Sequence, residues 1–388
     1  MKKMIVLTNK YPNKYEKNTL VFVQQLIWEF ANQNIDVTVI VPSPINIRPK
    51  LLKLPLYAEE KTDSGKIIKI YRPKYIGYGQ SYILGFNPAK ITTRNFTNSI
   101  MKLIIKKNIE FDVIYSHFIT PAGIAAARLG KYFNKPSFMA HGEATTMTID
   151  HFGKENVSEE LQNLSGIIAV STDNKNMLQH YLSLSNVNIE VFPNGFNSNR
   201  FHPKDKEEAR KLFNLPKNKF IVSFVGSFDH RKGIKRLEQA VEQLDDVYFI
   251  AAGRGKLKPQ SKKCLFYGQV SHEQLPYFYS ASDVFVLPTL NEGSCNAIIE
   301  AIACGIPVIS SDRSYNNDIL DDSYSIKINP ESVNEIKDAI IYVKNNKNRF
   351  DDFTTNTNNY SHQFDISTRA KKIINYIDER TNAYENKS

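Results

Sequence analysis

Apolar positions along this chain follow two rhythms that take turns. Short continuous apolar runs, MIVLTN (4–9), IDVTVIVP (35–42), FDVIYSH (111–117), PSFMAHG (136–142) and GIIAVS (166–171), have the length and β-branched content of buried strands. Between them the spacing changes to three or four. Leu20 to Asn32 puts Val23, Leu26, Ile27 and Phe30 on one side of a helix, and Asn98 to Lys107 and the alanine-rich Pro121 to Phe133 are helical too. This predicts one doubly wound unit of about 190 residues.

A second unit starts near Phe220. FIVSFVG (220–226), VYFIAAG (247–253) and CLFYGQV (264–270) predict strands, Gly233 to Leu244 a helix, and Ser271 the cap of a helix holding Leu275, Phe278 and Tyr279. Residues 283–312, DVFVLPTLNEGSCNAIIEAIACGIPVISSD, read as strand, loop, helix, strand. The tail from Asp365 to Arg380 has helical spacing at Ile366, Ala370, Ile373, Ile374 and Ile377. The polar stretch 344–359 predicts a surface loop. Strand–helix alternation throughout implies α/β architecture with parallel sheets covered on both faces. We divide the chain into 1–195, 196–364 and a C-terminal helix, 365–388, that returns to the first domain. Two such domains facing each other leave a cleft lined by the carboxyl ends of their strands.

Composition narrows the class. A hydrophobic fraction of 41% and a charged fraction of 23% are those of a soluble globular protein. No apolar run approaches the roughly 20 residues of a membrane helix. MKKMIVLTNKYP reads as a first buried strand, not a signal peptide. The three cysteines are odd in number and form no CxxC pair, which favours a reducing cytoplasm and no metal cage.

Charge is lopsided. Residues 1–110 hold 18 Lys+Arg against 7 Asp+Glu, a difference of +11, whereas residues 201–388 hold 26 against 25, a difference of +1. Arg48, Lys50, Lys53, Lys61, Lys66, Lys69, Arg72 and Lys74 alternate with Leu51, Leu52, Leu54, Leu56, Tyr57, Ile67, Ile68 and Tyr71. Basic and apolar residues together suit an anionic membrane face, at about 1 kcal/mol per nearby cation. The alternative is a solvated lysine-rich surface. No nucleic-acid motif is present, and no nucleic-acid partner is expected.

The chemistry concentrates in two segments. In 283–312 a strand leads to a helix N-terminus, whose first backbone N–H groups have no intrahelical partner and attract anions. Glu292 stands in the loop and Glu300 inside the helix, placed to grip hydroxyl groups on either side of such an anion. Gly293 lets backbone approach a ligand, and Gly305 suits the helix C-terminus. In VGSFDHRKG (225–233) a strand ends at Gly226, and a short loop carries Arg231 and Lys232 to a helix that opens at Gly233. Cations there can neutralise phosphates. A loop carboxylate, a salt-bridged helix residue and an exposed basic turn are the alternatives. The GRG at 253–255 lacks the rest of a phosphate loop, and no D-x-D triplet occurs.

At EGSCNAIIEAIACGIPVISSD (292–312), VGSFDHRKG, the PNGFN linker with Phe201 and Pro203 (193–203), and AHGE (140–143), the chain resembles the retaining family 4 glycosyltransferases, of GT-B architecture. The resemblance runs over nearly the whole chain, and the opening segments are similar to enzymes of capsule, exopolysaccharide or teichuronic-acid-type assembly. It implies a donor nucleotide sugar, UDP-linked by family frequency, held by Gly226, Ser227, Arg231, Lys232, Glu292, Gly293, Ser294, Cys295, Asn296 and Glu300. Glu300 would take the ribose hydroxyls, Glu292 the sugar hydroxyls, backbone around Gly293 to Asn296 the distal phosphate, and Lys232 the diphosphate. His141, with Glu292 and Lys232, would form the catalytic set. His141 would face the sugar from the N-terminal domain, the acceptor half. A hydrogen-bonded histidine at a strand end is the alternative, and His117, at another strand end, is read as structural. Three departures stand out. Ser227 replaces the usual Arg, YPNKYEKNTLVFV (11–23) replaces a glycine-rich loop, and Arg313 to Asn317 lacks glycine.

The resemblance thus implies a hexosyltransferase-type enzyme without cofactor or metal. Its acceptor would be a lipid-linked or growing saccharide, and it would work in the cytoplasm at the inner membrane face. A sugar-nucleotide epimerase and a non-catalytic nucleotide-sugar-binding protein are the rival readings.

Overall fold

The computed structural model of the chain describes residues 2–17, 19–46, 49–78, 87–143 and 145–385. It divides into two compact units, Met1–Phe192 with Arg369–Ser388, and Pro193–Thr368. The architecture is mixed α/β with parallel sheets.

The first unit is built on β1 (Lys3–Leu7), β2 (Asp36–Ile40), β3 (Ser43–Pro44), β4 (Tyr57–Lys61), β5 (Ile67–Tyr71), β6 (Lys74–Tyr75), β7 (Val113–His117), β8 (Ser137–His141), β9 (Gly166–Ala169) and β10 (Ile189–Val191). Eight of them form one sheet in the order β10-β9-β8-β7-β1-β2-β5-β4, and β3 pairs with β6. The opening apolar run is therefore a central strand, fully buried from Met4 to Leu7. Helices Val21–Asn32, Ala89–Lys107 and Ile124–Phe133 follow the predicted spacing, the second starting earlier than expected. From Arg369 on, the tail helix Ile366–Glu385 belongs to this unit. Ile373 and Ile377 are buried in it, and Tyr376 donates its hydroxyl to the Asn188 carbonyl at 2.8 Å.

The parallel expectation fails at one edge. β4 pairs antiparallel with β5, from Tyr57↔Tyr71 to Lys61↔Ile67. A tight turn through Gly65, at φ 87°, joins them. The basic segment is this hairpin together with the 3₁₀ turn Pro49–Lys53 before it and β6 after it. Lys50, Lys53, Lys61, Lys66 and Lys74 are exposed beside Leu56, Tyr57 and Ile67. Arg72 and Ile68 are buried, contrary to a wholly surface-facing reading. Strand alternation turns every second side chain inward, which a run of mixed residues does not reveal. Arg48 lies outside the described residues.

The second unit carries β11 (Phe220–Val225), β12 (Val247–Ala252), β13 (Cys264–Gly268), β14 (Val284–Leu287), β15 (Val308–Ser311) and β16 (Ser325–Ile328), all parallel, in the order β13-β12-β11-β14-β15-β16. Two local expectations need correction. Residues 347–361 are not a loop: a 3₁₀ turn and two short helices, Asp351–Thr355 and Thr357–Ser361, bury Phe350, Phe353 and Thr357. Two aromatic anchors outweigh the polar average, because burial depends on single large side chains. Ser271 accepts a bond from the Gln274 N–H at 3.3 Å, but in the turn before helix Leu275–Ser280 rather than at its cap.

Among the described residues, no helix is long and apolar enough to cross a membrane.

Candidate functional site

In the second unit the sheet order reverses direction at β11 and β14. In an open parallel sheet such a switch point splays the two following loops apart and leaves a crevice at the strands' carboxyl ends. The loop after β11 is Gly226–Gly233, and that after β14 runs from Pro288 to Cys295. Both predicted motifs therefore meet at one place.

The two loops are tied backbone to backbone. The Leu290 N–H donates to the Arg231 carbonyl at 2.9 Å. Gly233 has φ 81°, and a Cβ there would stand 2.5 Å from the Pro288 carbonyl oxygen, so only glycine lets the loops approach this closely. Arg236 clamps the same carbonyl at 2.8 Å.

Glu292 lies at the centre. Its Oε1 accepts from Arg231 Nη1 at 2.9 Å, from Lys232 Nζ, and from Thr289 Oγ1 at 2.8 Å. Lys232 and Glu292 are both mostly shielded from solvent, whereas Arg231 is exposed. Burial alone would lower the Lys232 ammonium, but the neighbouring Cys295 and Glu292 groups outweigh it and raise it. Asp229 fixes the turn, accepting from the Lys232 N–H at 2.8 Å and the Ser227 hydroxyl at 2.5 Å. The hydroxyl at position 227 is thus spent on the loop itself.

The helix Asn296–Ala303 begins at this crevice with Cys295 as its buried N-cap. Asn194 pins the preceding turn, its N–H donating to Ser294 Oγ and its Nδ2 to the Ser294 carbonyl, both at 3.1 Å. Gly293 is buried in the same turn, and Asn296 carries a buried Oδ1 without a partner. The helix ends as expected at Gly305, φ 71°, with Gly305 and Ile306 N–H groups returning to Ile302 and Ala301.

Glu300 sits about one turn into the helix, eight positions along the chain from Glu292, and outside the Arg231–Lys232–Glu292 cluster. Its Oε2 accepts from the Tyr279 hydroxyl at 2.9 Å. It is half-buried by surface yet densely surrounded, and burial pushes its carboxyl up to about 7 against the smaller pull of Tyr279.

His141 belongs to the other unit, at the end of β8, fully buried with neither ring nitrogen hydrogen-bonded. His117 ends β7 with its ring edge-on to Tyr115 at 5.1 Å, and burial, with the Arg369 charge, lowers it to about 3. Thr289, Asp229, Asn194 and Tyr279 escaped the residue-by-residue reading. Asp229, Thr289 and Asn194 lie inside the quoted motifs, but their partners are fixed by loop geometry rather than by spacing.

The arrangement offers two cations gathered on one carboxylate, a helix N-terminus, and a second carboxylate of raised proton affinity. This is a combination for an anion bordered by hydroxyl groups.

Comparison with known proteins agrees. The description Glycosyltransferase Family 4 matches residues 21–200, and Glycosyl transferases group 1 matches residues 205–360. TuaC of Bacillus subtilis, assigned as a glycosyltransferase of teichuronic acid biosynthesis, is 27% identical over 350 residues, 87% of this chain and 88% of its own. Sucrose-phosphate synthase of Thermosynechococcus elongatus superposes with a TM-score of 0.74 at 20% identity, covering 99% of this chain and 100% of that one. HepE of Anabaena, solved in complex with UDP, gives 0.70 at 15% identity, covering 98% and 100%. The shared fold is GT-B.

Proposed function

The chain belongs to the glycosyltransferases, a family 4 domain followed by a group 1 domain, and from that membership we propose that it moves a hexose from a UDP-sugar, with retention of anomeric configuration, onto a lipid-linked or growing saccharide of a bacterial cell-surface polysaccharide. The observation that carries the proposal is the Arg231–Lys232–Glu292 cluster beside the Asn296–Ala303 N-terminus at the β11/β14 switch point.

In this reading the donor diphosphate draws Arg231 and Lys232 away from Glu292, which frees the carboxylate for sugar hydroxyls. Backbone N–H groups from Gly293 to Asn296 meet the distal phosphate, Gly226 and Ser227 line the approach, and Glu300 takes the ribose. His141 faces the sugar. The bond from the anomeric carbon to the diphosphate breaks, the bond to the acceptor oxygen forms, and the acceptor proton passes to the departing phosphate. Charge developing on the diphosphate is stabilised by preorganised cations and amides, so the reaction runs without a divalent metal. The relative assigned to teichuronic acid biosynthesis and the UDP-bound neighbour support the acceptor class and the nucleotide. The basic hairpin Tyr57–Tyr71, with exposed Leu56, Tyr57 and Ile67, supports an N-terminal acceptor domain working in the cytoplasm against the anionic inner membrane face.

A panel of nucleotide sugars read by thermal shift identifies the donor, because a bound donor raises apparent stability by mass action. Transfer of that sugar in the presence of chelator, with the product anomer assigned by NMR, then tests the chemistry. Inversion of configuration overturns the retaining mechanism. An isomerised donor without acceptor indicates an epimerase, and binding without turnover indicates a sensor.

A further inference from the structure

The AHGE run leaves Glu143 without a role in the reading above. His141 Nδ1 stands 3.6 Å from Glu143 Oε2, within ion-pair reach but longer than a hydrogen bond. Glu143 itself is held from several sides. Its Oε2 accepts from the Ile119 N–H at 3.2 Å, its Oε1 from Thr148 Oγ1 at 3.0 Å, and its backbone carbonyl from Asn174 Nδ2 at 3.1 Å. These donors come from the segments that follow β7, β8 and β9. Burial raises the Glu143 carboxyl, but His141, the Ile119 amide and Thr148 together hold it below the usual range. Glu143 is thus a fixed carboxylate beside one nitrogen of a fully buried ring whose other nitrogen, Nε2, has no partner.

We propose that Glu143 is the positioning residue of His141: its anchored carboxylate selects the imidazole form with hydrogen on Nδ1, sets the ring plane and leaves Nε2 to meet the sugar. The physical basis is that a carboxylate facing one ring nitrogen stabilises hydrogen there, and the bond at one nitrogen decides the state of the other. The proposal rests on reading His141 as sugar-facing. A loop tie without influence on the ring is the competing account, since the same carboxylate joins the segments after β7 and β8.

The test uses full-length protein labelled with ¹⁵N-histidine, the His141 resonances being those lost in His141→Ala. Glu143→Gln keeps one oxygen to accept from the Ile119 N–H, lets its amide nitrogen donate to Thr148 Oγ1 in place of the bond that Thr148 donates now, and removes the charge. The ring nitrogen shifts of His141 should show hydrogen on Nδ1 in the native protein and move in Glu143→Gln at an unchanged melting temperature. Transfer should lose about 10²-fold in kcat, with donor KM unchanged, as expected for a misplaced reacting group. In the His141→Ala background, Glu143→Gln should have no further effect. Unchanged ring shifts in Glu143→Gln, or losses that add across the two sites, overturn the proposal. Full activity in His141→Ala instead rejects the sugar-facing role of His141, while the ring shifts still decide whether Glu143 controls it.

Discussion

Glu292 holds three donors at once through one oxygen, Arg231, Lys232 and Thr289. Such a knot is a storage arrangement: two cations are kept gathered until a stronger anion arrives. Lys232→Ala removes the better-buried cation and leaves Glu292 with Arg231 and Thr289. Under the proposed function we expect kcat/KM to fall about 10²- to 10³-fold, the usual loss for one preorganised charge-stabilising donor; an unchanged rate would reject the assignment of this cluster. Glu300 supplies a pH signature. Its carboxyl is raised to about 7 in the fold, so ionising it costs stability, and that cost grows as pH rises from the ordinary carboxylate range through 7. Ribose hydroxyls donate to the ionised form, so binding of the UDP-sugar should tighten as pH rises through 7. Glu300→Gln should flatten that profile in titration calorimetry. The loop positions of Glu292 and Lys232 and the helical position of Glu300 were legible in the sequence, because glycines mark the loop ends and apolar spacing marks the helix. Thr289, Asp229 and Tyr279 were not, since which hydroxyl or carboxylate reaches which partner is decided by the crossing of two loops.

Among the elements, the central strands of both sheets were read with most success, because each is a continuous apolar run buried on both faces, whereas short or partly exposed strands such as β4, β5, β10 and β16 were not read. The errors fall where one or two side chains decide. Phe353 anchors helix Asp351–Thr355 with its ring 5.3 Å from that of Tyr324 and 5.5 Å from that of Tyr360, inside a stretch that is otherwise polar except for Phe350. Phe353→Ala should cost about 3–5 kcal/mol by cavity formation, measured by urea unfolding; a cost below 1 kcal/mol would mean that the segment is the loop its composition suggests. The helix Asn296–Ala303 ends on Gly305, whose Cβ position would lie 2.7 Å from Thr357 Oγ1. Gly305→Ala combines that contact with left-handed backbone, so we expect a loss of about 1–2 kcal/mol in the same assay.

For the whole molecule, the charge difference between the two ends of the chain becomes a question of membrane association. The exposed lysines of the β4–β5 hairpin flank Leu56, Tyr57 and Ile67, while Lys69 is drawn to Asp36 at 3.3 Å and Lys66 to Asn34 at 2.9 Å. The protein should float with anionic vesicles at low salt and be released at high salt, and Lys50, Lys53 and Lys61 changed together to Gln should reduce flotation at least tenfold at about 1 kcal/mol per cation. Flotation equal on neutral vesicles would sink that reading. By itself, the sequence determined the class of chain, the α/β alternation, the family resemblance and the two loops that hold Arg231, Lys232 and Glu292. All of these are written in local periodicity and in residues a few positions apart. Only the tertiary structure decided that the two loops share one switch point, that Glu292 binds both cations, that β4 runs antiparallel, and that the Ile119 amide and Asn174 hold Glu143 in place. These depend on strand order and on side chains meeting across long stretches of chain, and chain folding, not spacing, brings such partners within a few ångströms.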